Sequence, residues 1–198
     1  PVLFRNNGDM TFDDVSASLP CPMDGVISTT ATWGDYNSDG FLDVYVANYN
    51  QQPTMGDHNW LFRNNGDGTF DEVADEAGVS YGNFPAFQCM FLDADFDHDA
   101  DLLVVNDKND GCMFFRNYGG VFTDIANENG FNVHPDAMSL SVSDVDHDGD
   151  YDYYISNTIE GNYFLINENG TFVNRAVEWN ATVNANCWGS VFIDTQQK

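Results

Sequence analysis

The chain has 198 residues, with 32 Asp and Glu against 6 Lys and Arg, a formal net charge of −26 and a pI near 4.1. A polyanion of this strength has no surface that neutralises phosphate and is repelled by it at long range, so nucleic acid and anionic membranes are excluded as partners. High charge is also the mark of disordered chains, but 16 Phe, 9 Tyr and 4 Trp spread along the sequence supply a core.

In chain order, the first element is Leu3-Phe4-Arg5-Asn6-Asn7-Gly8-Asp9-Met10-Thr11-Phe12, an apolar pair, an Asn/Gly/Asp turn and a returning Thr-Phe, which reads as a β-hairpin. It recurs as Leu61-Phe62-Arg63-Asn64-Asn65-Gly66-Asp67-Gly68-Thr69-Phe70, and more weakly over 114–122 and 164–172. The turn that follows, such as Val73 to Val79, has room for one helical turn. A second element ends in Asp35, Asp93, Asp144 and Asp194, spaced 58, 51 and 50. After each of the first three aspartates comes an acidic loop and then a short apolar run stopped by Asn48, Asn106 or Asn157, which reads as a buried inner strand.

Each period therefore supplies about four strands. Four-stranded units repeating at about 50 residues mark β-propeller blades, which cannot bury their faces without neighbours. The fold expected is all-β, with antiparallel four-stranded blades in about three and a half repeats, approximately 1–58, 59–111, 112–161 and an incomplete 162–198. Closed propellers need about 4 to 8 blades, so the chain is expected to belong to a larger propeller. The start, Pro1-Val2-Leu3-Phe4-Arg5, has no charged-then-apolar leader, so a signal peptide is expected to have been removed or to lie upstream. No run reaches the roughly 18 to 20 apolar residues of a spanning helix, and no membrane insertion is expected.

The acidic loops carry the chemistry. Asp35, Asn37, Asp39 and Asp43 in the first, and Asp144, Asp146, Asp148 and Asp152 in the third, fit D-x-[DN]-x-D-G-x-x-D. Side-chain oxygens at positions 1, 3, 5 and 9 converge, Gly at 6 allows the reversal, and position 7, Phe41 or Asp150, adds its carbonyl. Hard oxygen donors without His or Cys suit Ca²⁺ better than zinc, and better than Mg²⁺ with its strict octahedron. An EF-hand is rejected, because Val46 and Ile155 stand where its bidentate Glu belongs. In the second loop Asp93, Asp95, Asp97 and Asp101 take the ligand positions with Asp99 giving its carbonyl, but His98 replaces the Gly. The competing register, slid by two residues, places Leu103 at position 9 and loses a ligand. About three Ca²⁺ ions are expected, with a fourth at Asp194 if the chain continues. Like charges packed this closely repel unless neutralised, and a divalent ion is the natural remedy at neutral pH.

These motifs together resemble the FG-GAP/VCBS repeat superfamily, seen in integrin α-subunit propellers, cartilage acidic protein and many secreted bacterial proteins. The resemblance spans the chain and implies that the loops bind Ca²⁺ between strands of a blade, through Asp35, Asn37, Asp39 and Asp43 and through Asp144, Asp146, Asp148 and Asp152. His98 departs from the pattern, and no literal Phe-Gly…Gly-Ala-Pro sequence is present.

Cys21, Cys89, Cys112 and Cys187 follow no C-x-x-C spacing, which leaves one or two disulfides or buried free thiols. Asn169-Gly170-Thr171 and Asn180-Ala181-Thr182 are glycosylation sequons. His98 and His147 are expected to face solvent, and Trp33, Trp60, Trp179 and Trp188 to pack blades. Two classes of function fit. One is a non-enzymatic extracellular or cell-surface module in which Ca²⁺ stiffens the blades and exposed loops or edges hold a protein or glycan ligand or neighbouring subunits. The other is the scaffold of a secreted glycan-active enzyme such as a polysaccharide lyase, which needs cations near a uronate carboxylate. Arg5, Arg63 and Arg116 belong to the hairpin motif, which favours structural roles for them and so the first reading.

Overall fold

Turns rich in Asn, Gly and Asp cut the sequence into short strands, and the computed structural model describes these over residues 1–21, 25–49, 58–81, 84–158, 160–183 and 185–193. β1 (Phe4–Asn6) and β2 (Phe12–Asp14) form a two-stranded antiparallel hairpin. Three antiparallel four-stranded meanders follow: β3 (Ser28–Gly34), β4 (Asp43–Asn48), β5 (Trp60–Asn64) and β6 (Phe70–Glu72); β7 (Ala86–Leu92), β8 (Asp101–Asn106), β9 (Met113–Asn117) and β10 (Phe122–Asp124); β11 (Leu140–Ser143), β12 (Asp152–Ile155), β13 (Tyr163–Asn167) and β14 (Phe172–Asn174). These are the expected propeller blades. Each sheet runs from the acidic-loop half of one sequence period into the hairpin of the next. The single helical turns are α1 (Ala74–Ala77) and α2 (Ala126–Asn129), after β6 and β10.

Continuous apolar runs are needed because the second strand of each blade is buried on both faces. Tyr45 and Ala47 of β4 join Leu102 and Val104 of β8 in one interblade layer, while Val44 and Val46 point the other way, onto Trp60, Phe62 and Leu19. Leu103 and Val105 of β8 join Tyr153 and Ile155 of β12 in the next layer, filled out by Phe114, Phe131 and Phe172. Fully burying each of these large side chains is worth about 1.5–3 kcal/mol, so the interblade layers are the main source of stability.

Inner strands also bond from blade to blade. The Thr29 hydroxyl donates to Ala86 O at 2.9 Å, and the Phe91 N–H to the Thr32 hydroxyl at 3.1 Å. One blade on, Leu140 N–H donates to Gln88 Oε1 at 2.6 Å. Beyond β11, the Ser141 hydroxyl donates to Ser190 O at 2.7 Å. Segment 191–193 thus follows the path of a fourth inner strand, and Phe192 packs against Tyr154 and Phe164, but the strand expected there does not form. Asp194 and its expected loop lie outside the described residues.

Two further expectations are corrected or resolved. Trp60 is a packing residue, but Trp33 is 46% and Trp188 72% exposed, and Trp179, 42% exposed, stacks edge-on against Phe164. Trp33 is the counterpart of Phe91, which is covered because it closes onto Gly34 of the preceding blade; the sheet beside Trp33 has only two strands. Cys89 and Cys112 are buried free thiols in separate interblade layers, and burial raises both, Cys112 to about 12.

Candidate metal centre

All three acidic loops sit at the same corner of their blades, between the first and second strands, and share one backbone design. Positions 4 and 6 are left-handed in each: Ser38 and Gly40 (φ 58° and 89°), Phe96 and His98 (62° and 79°), His147 and Gly149 (63° and 99°). His98 therefore adopts the conformation glycine takes elsewhere, and the second loop runs in the register that starts at Asp93. The position-5 carboxylate caps the position-7 amide each time: Asp39 with Phe41 at 2.9 Å, Asp97 with Asp99 at 2.9 Å, Asp148 with Asp150 at 3.2 Å. Position 1 accepts from the position-6 amide: Asp35 from Gly40 at 2.9 Å, Asp93 from His98 at 3.1 Å, Asp144 from Gly149 at 3.2 Å.

Position 9 opens the second strand and is wholly buried. Asp43 accepts from Tyr36 N–H at 3.3 Å and Asn64 N–H at 2.8 Å; Asp101 from Ala94 at 3.2 Å and Asn117 at 2.8 Å; Asp152 from Val145 at 2.8 Å and Asn167 at 2.9 Å. One carboxylate thus ties the start of the loop to the hairpin of the third strand. The hairpin Asn returns the tie, as Asn64 donates to Leu42 O at 3.1 Å and Asn117 to Ala100 O at 2.9 Å. Sequence reasoning did not give Asn64, Asn117 and Asn167 this role, although they recur at one place in the hairpin motif.

The carboxylate oxygens of Asp144, Asp146 and Asp152 lie within 4.8 Å of one another, and so do those of Asp93, Asp95 and Asp97. The first loop's carboxylates form no such group, because Asn37 takes the third position and hydrogen-bonds to Asp39 at 2.9 Å. Asp144 Oδ1, Asp150 Oδ1 and Asp93 Oδ1 are buried with no hydrogen-bond partner, so each has an oxygen left to give. Burial drives Asp43 and Asp101 up to about 6; burial, with the neighbouring carboxylates Asp148 and Asp152, does the same for Asp150. Buried, mutually repelling, partly orphaned oxygens are the donor set of a hard cation. Of the residues expected to be ligands in the third loop, Asp144, Asp146 and Asp152 are brought together in a group that could hold a metal ion. His98 and His147 are exposed, as expected.

The second loop differs in one respect. The Arg116 guanidinium, from β9, pairs with Asp95, and its Nε lies 3.8 Å from Asp101. The other described cations are also committed to acids: Arg5 to Asp13, Arg63 to Asp71 and Glu76, Lys108 to Asp107, Arg175 to Glu168 and Glu178.

Antiparallel four-stranded blades with an aspartate loop at one fixed corner define a β-propeller repeat protein. The model of the FG-GAP-like repeat family matches residues 1–46 and 35–104, together just over half of the chain, and the chain belongs to that family. No curated protein matches it. The third loop lies outside the matched stretches, yet reproduces the hydrogen bonds that positions 1, 5 and 9 accept in the other two.

Proposed function

We propose that this chain is a calcium-binding β-propeller module of the extracellular space or cell surface, non-enzymatic, in which the ion stiffens the blade corners and exposed loops or edges hold a protein or glycan ligand. The observation that carries the reading is the third loop, where five carboxylates lie within nine residues, three with oxygens converged within 4.8 Å. No described Lys, Arg or His pairs with any of them. A dication relieves that repulsion, and loops of this kind bind Ca²⁺ with Kd on the order of 0.1–1 mM, which suits extracellular calcium. Support for a partner comes from an apolar groove of about 350 Å³ between the N-terminal hairpin and the first full blade, where Trp33, Phe41 and Phe4 stand beside Arg5. A polysaccharide lyase on the same blades would need an uncommitted cation, and every described one is bound to an acid. No helix among the described residues is long and apolar enough to cross a membrane.

Calorimetric titration of the EGTA-stripped chain with calcium tests the reading. Uptake is expected at millimolar calcium, with about one ion lost in Asp146→Ala. A site filled at 10 times its Kd adds about 1.4 kcal/mol, a rise in Tm of roughly 3–6 °C per site for a chain of this size. No uptake and no shift at millimolar calcium would refute it.

A further inference from the structure

The hairpin arginine occurs three times, and its company decides what it does. In the two-stranded hairpin Arg5 faces Asp13 across the ladder and pairs with it at 3.0 Å. In the first full blade Arg63 faces Asp71, pairing at 3.5 Å and with Glu76 at 3.6 Å. In the next blade Arg116 faces Thr123, which offers no charge. The guanidinium turns instead into the acidic loop, pairs with Asp95 and comes within 3.8 Å of Asp101, and its Nε is buried without an acceptor. In the third full blade the position is Ile166, facing Val173, so no guanidinium is present.

We propose that Arg116 is a resident counter-ion of the second loop, which is thereby latched without a metal and takes a divalent ion more weakly than the third. The inference rests on the calcium reading above and adds that loops of one sequence pattern are unequal sites. Arg116 occupies the position-3 carboxylate and puts a positive charge beside the position-9 carboxylate, so an arriving dication must displace it or share its ligands.

The test is calcium titration of the EGTA-stripped full chain, wild type against Arg116→Met and Thr123→Asp. Arg116→Met frees Asp95; Thr123→Asp, at an exposed position, restores the cross-strand carboxylate that holds Arg63 in its blade. Both variants should tighten one site, that of the second loop, by about tenfold or more. Arg116→Met should also melt lower than wild type in EGTA and gain more on calcium addition, a crossover that a purely structural arginine does not give. If the wild type binds calcium but both variants leave every site unchanged or weaker, Arg116 is not a counter-ion and the calcium reading stands. If the wild type binds none, that reading fails and this inference with it. Should Arg116→Met fail to fold, Thr123→Asp alone decides.

Discussion

Asp43, Asp101 and Asp152 are buried anions whose oxygens are taken by backbone amides from two elements. They differ in kind from Asp146, which is exposed and serves only the loop. Asp101→Ala should therefore cost about 2–4 kcal/mol even in EGTA, because it strands two buried N–H donors, whereas Asp146→Ala should be near neutral in EGTA and destabilising only with calcium. Urea denaturation of both variants with and without the ion checks this. The same burial sets a pH dependence. The unfolded carboxylates titrate near 3.9, while Asp43, Asp101 and Asp150 sit at about 6 in the fold, so between those values the folded, ion-free chain holds more protons than the unfolded one. Their contribution is complete below about pH 4 and lost as pH rises through about 6. In EGTA the melting temperature should fall over that interval, and calcium, which needs the carboxylates ionised, should flatten or reverse the slope; a calorimetric pH series reads it directly. The exposed Asp9, Asp13, Asp14 and Asp67, lowered by hydrogen bonds, act oppositely only at lower pH. The ligand spacing was legible in the sequence because it is local. The reach of Arg116 was not, since it depends on which residue, Thr123 or an aspartate, faces it across the ladder.

At the level of elements, the hairpins and single helical turns could be read because Asn-Gly, Asp-Gly and left-handed turns are written in a few adjacent residues. Less legible was the fit between blades. α2 ends at Gly130, with φ 82°, and a Cβ there would stand 2.6 Å from the carbonyl oxygen of Phe172 at the start of β14; Gly78 after α1 meets Phe122 O at 2.9 Å in the same way. Each helical turn is thus pressed against the outer strand of the following blade. Gly130→Ala should cost at least about 1–2 kcal/mol for the backbone conformation alone, and more for the contact, measurable by urea denaturation. The exposure of Trp33 escaped sequence reasoning for a related reason. It depends on which sheet lies alongside, whereas an apolar side chain before a repeat aspartate looks alike wherever it falls.

For the whole molecule, a net charge of −26 opposes compaction, and 13 of the 32 acidic residues lie in the three loops. Without calcium the fold should respond strongly to salt: moderate NaCl should raise the melting temperature in EGTA and do much less once calcium is bound, since both remedies act on the same repulsion. Thermal scans at several ionic strengths, with and without calcium, distinguish this from a general salt effect. The offset between sequence period and sheet has a practical consequence for anyone excising a unit. A cut at residue 59 parts β4 from β5, leaving Tyr45 and Val46 without Leu61 and Trp60 across the ladder, while a piece spanning 26–81 keeps β3 to β6 and α1 intact. The frame in which this gene is easiest to align is thus the wrong frame in which to dissect the protein.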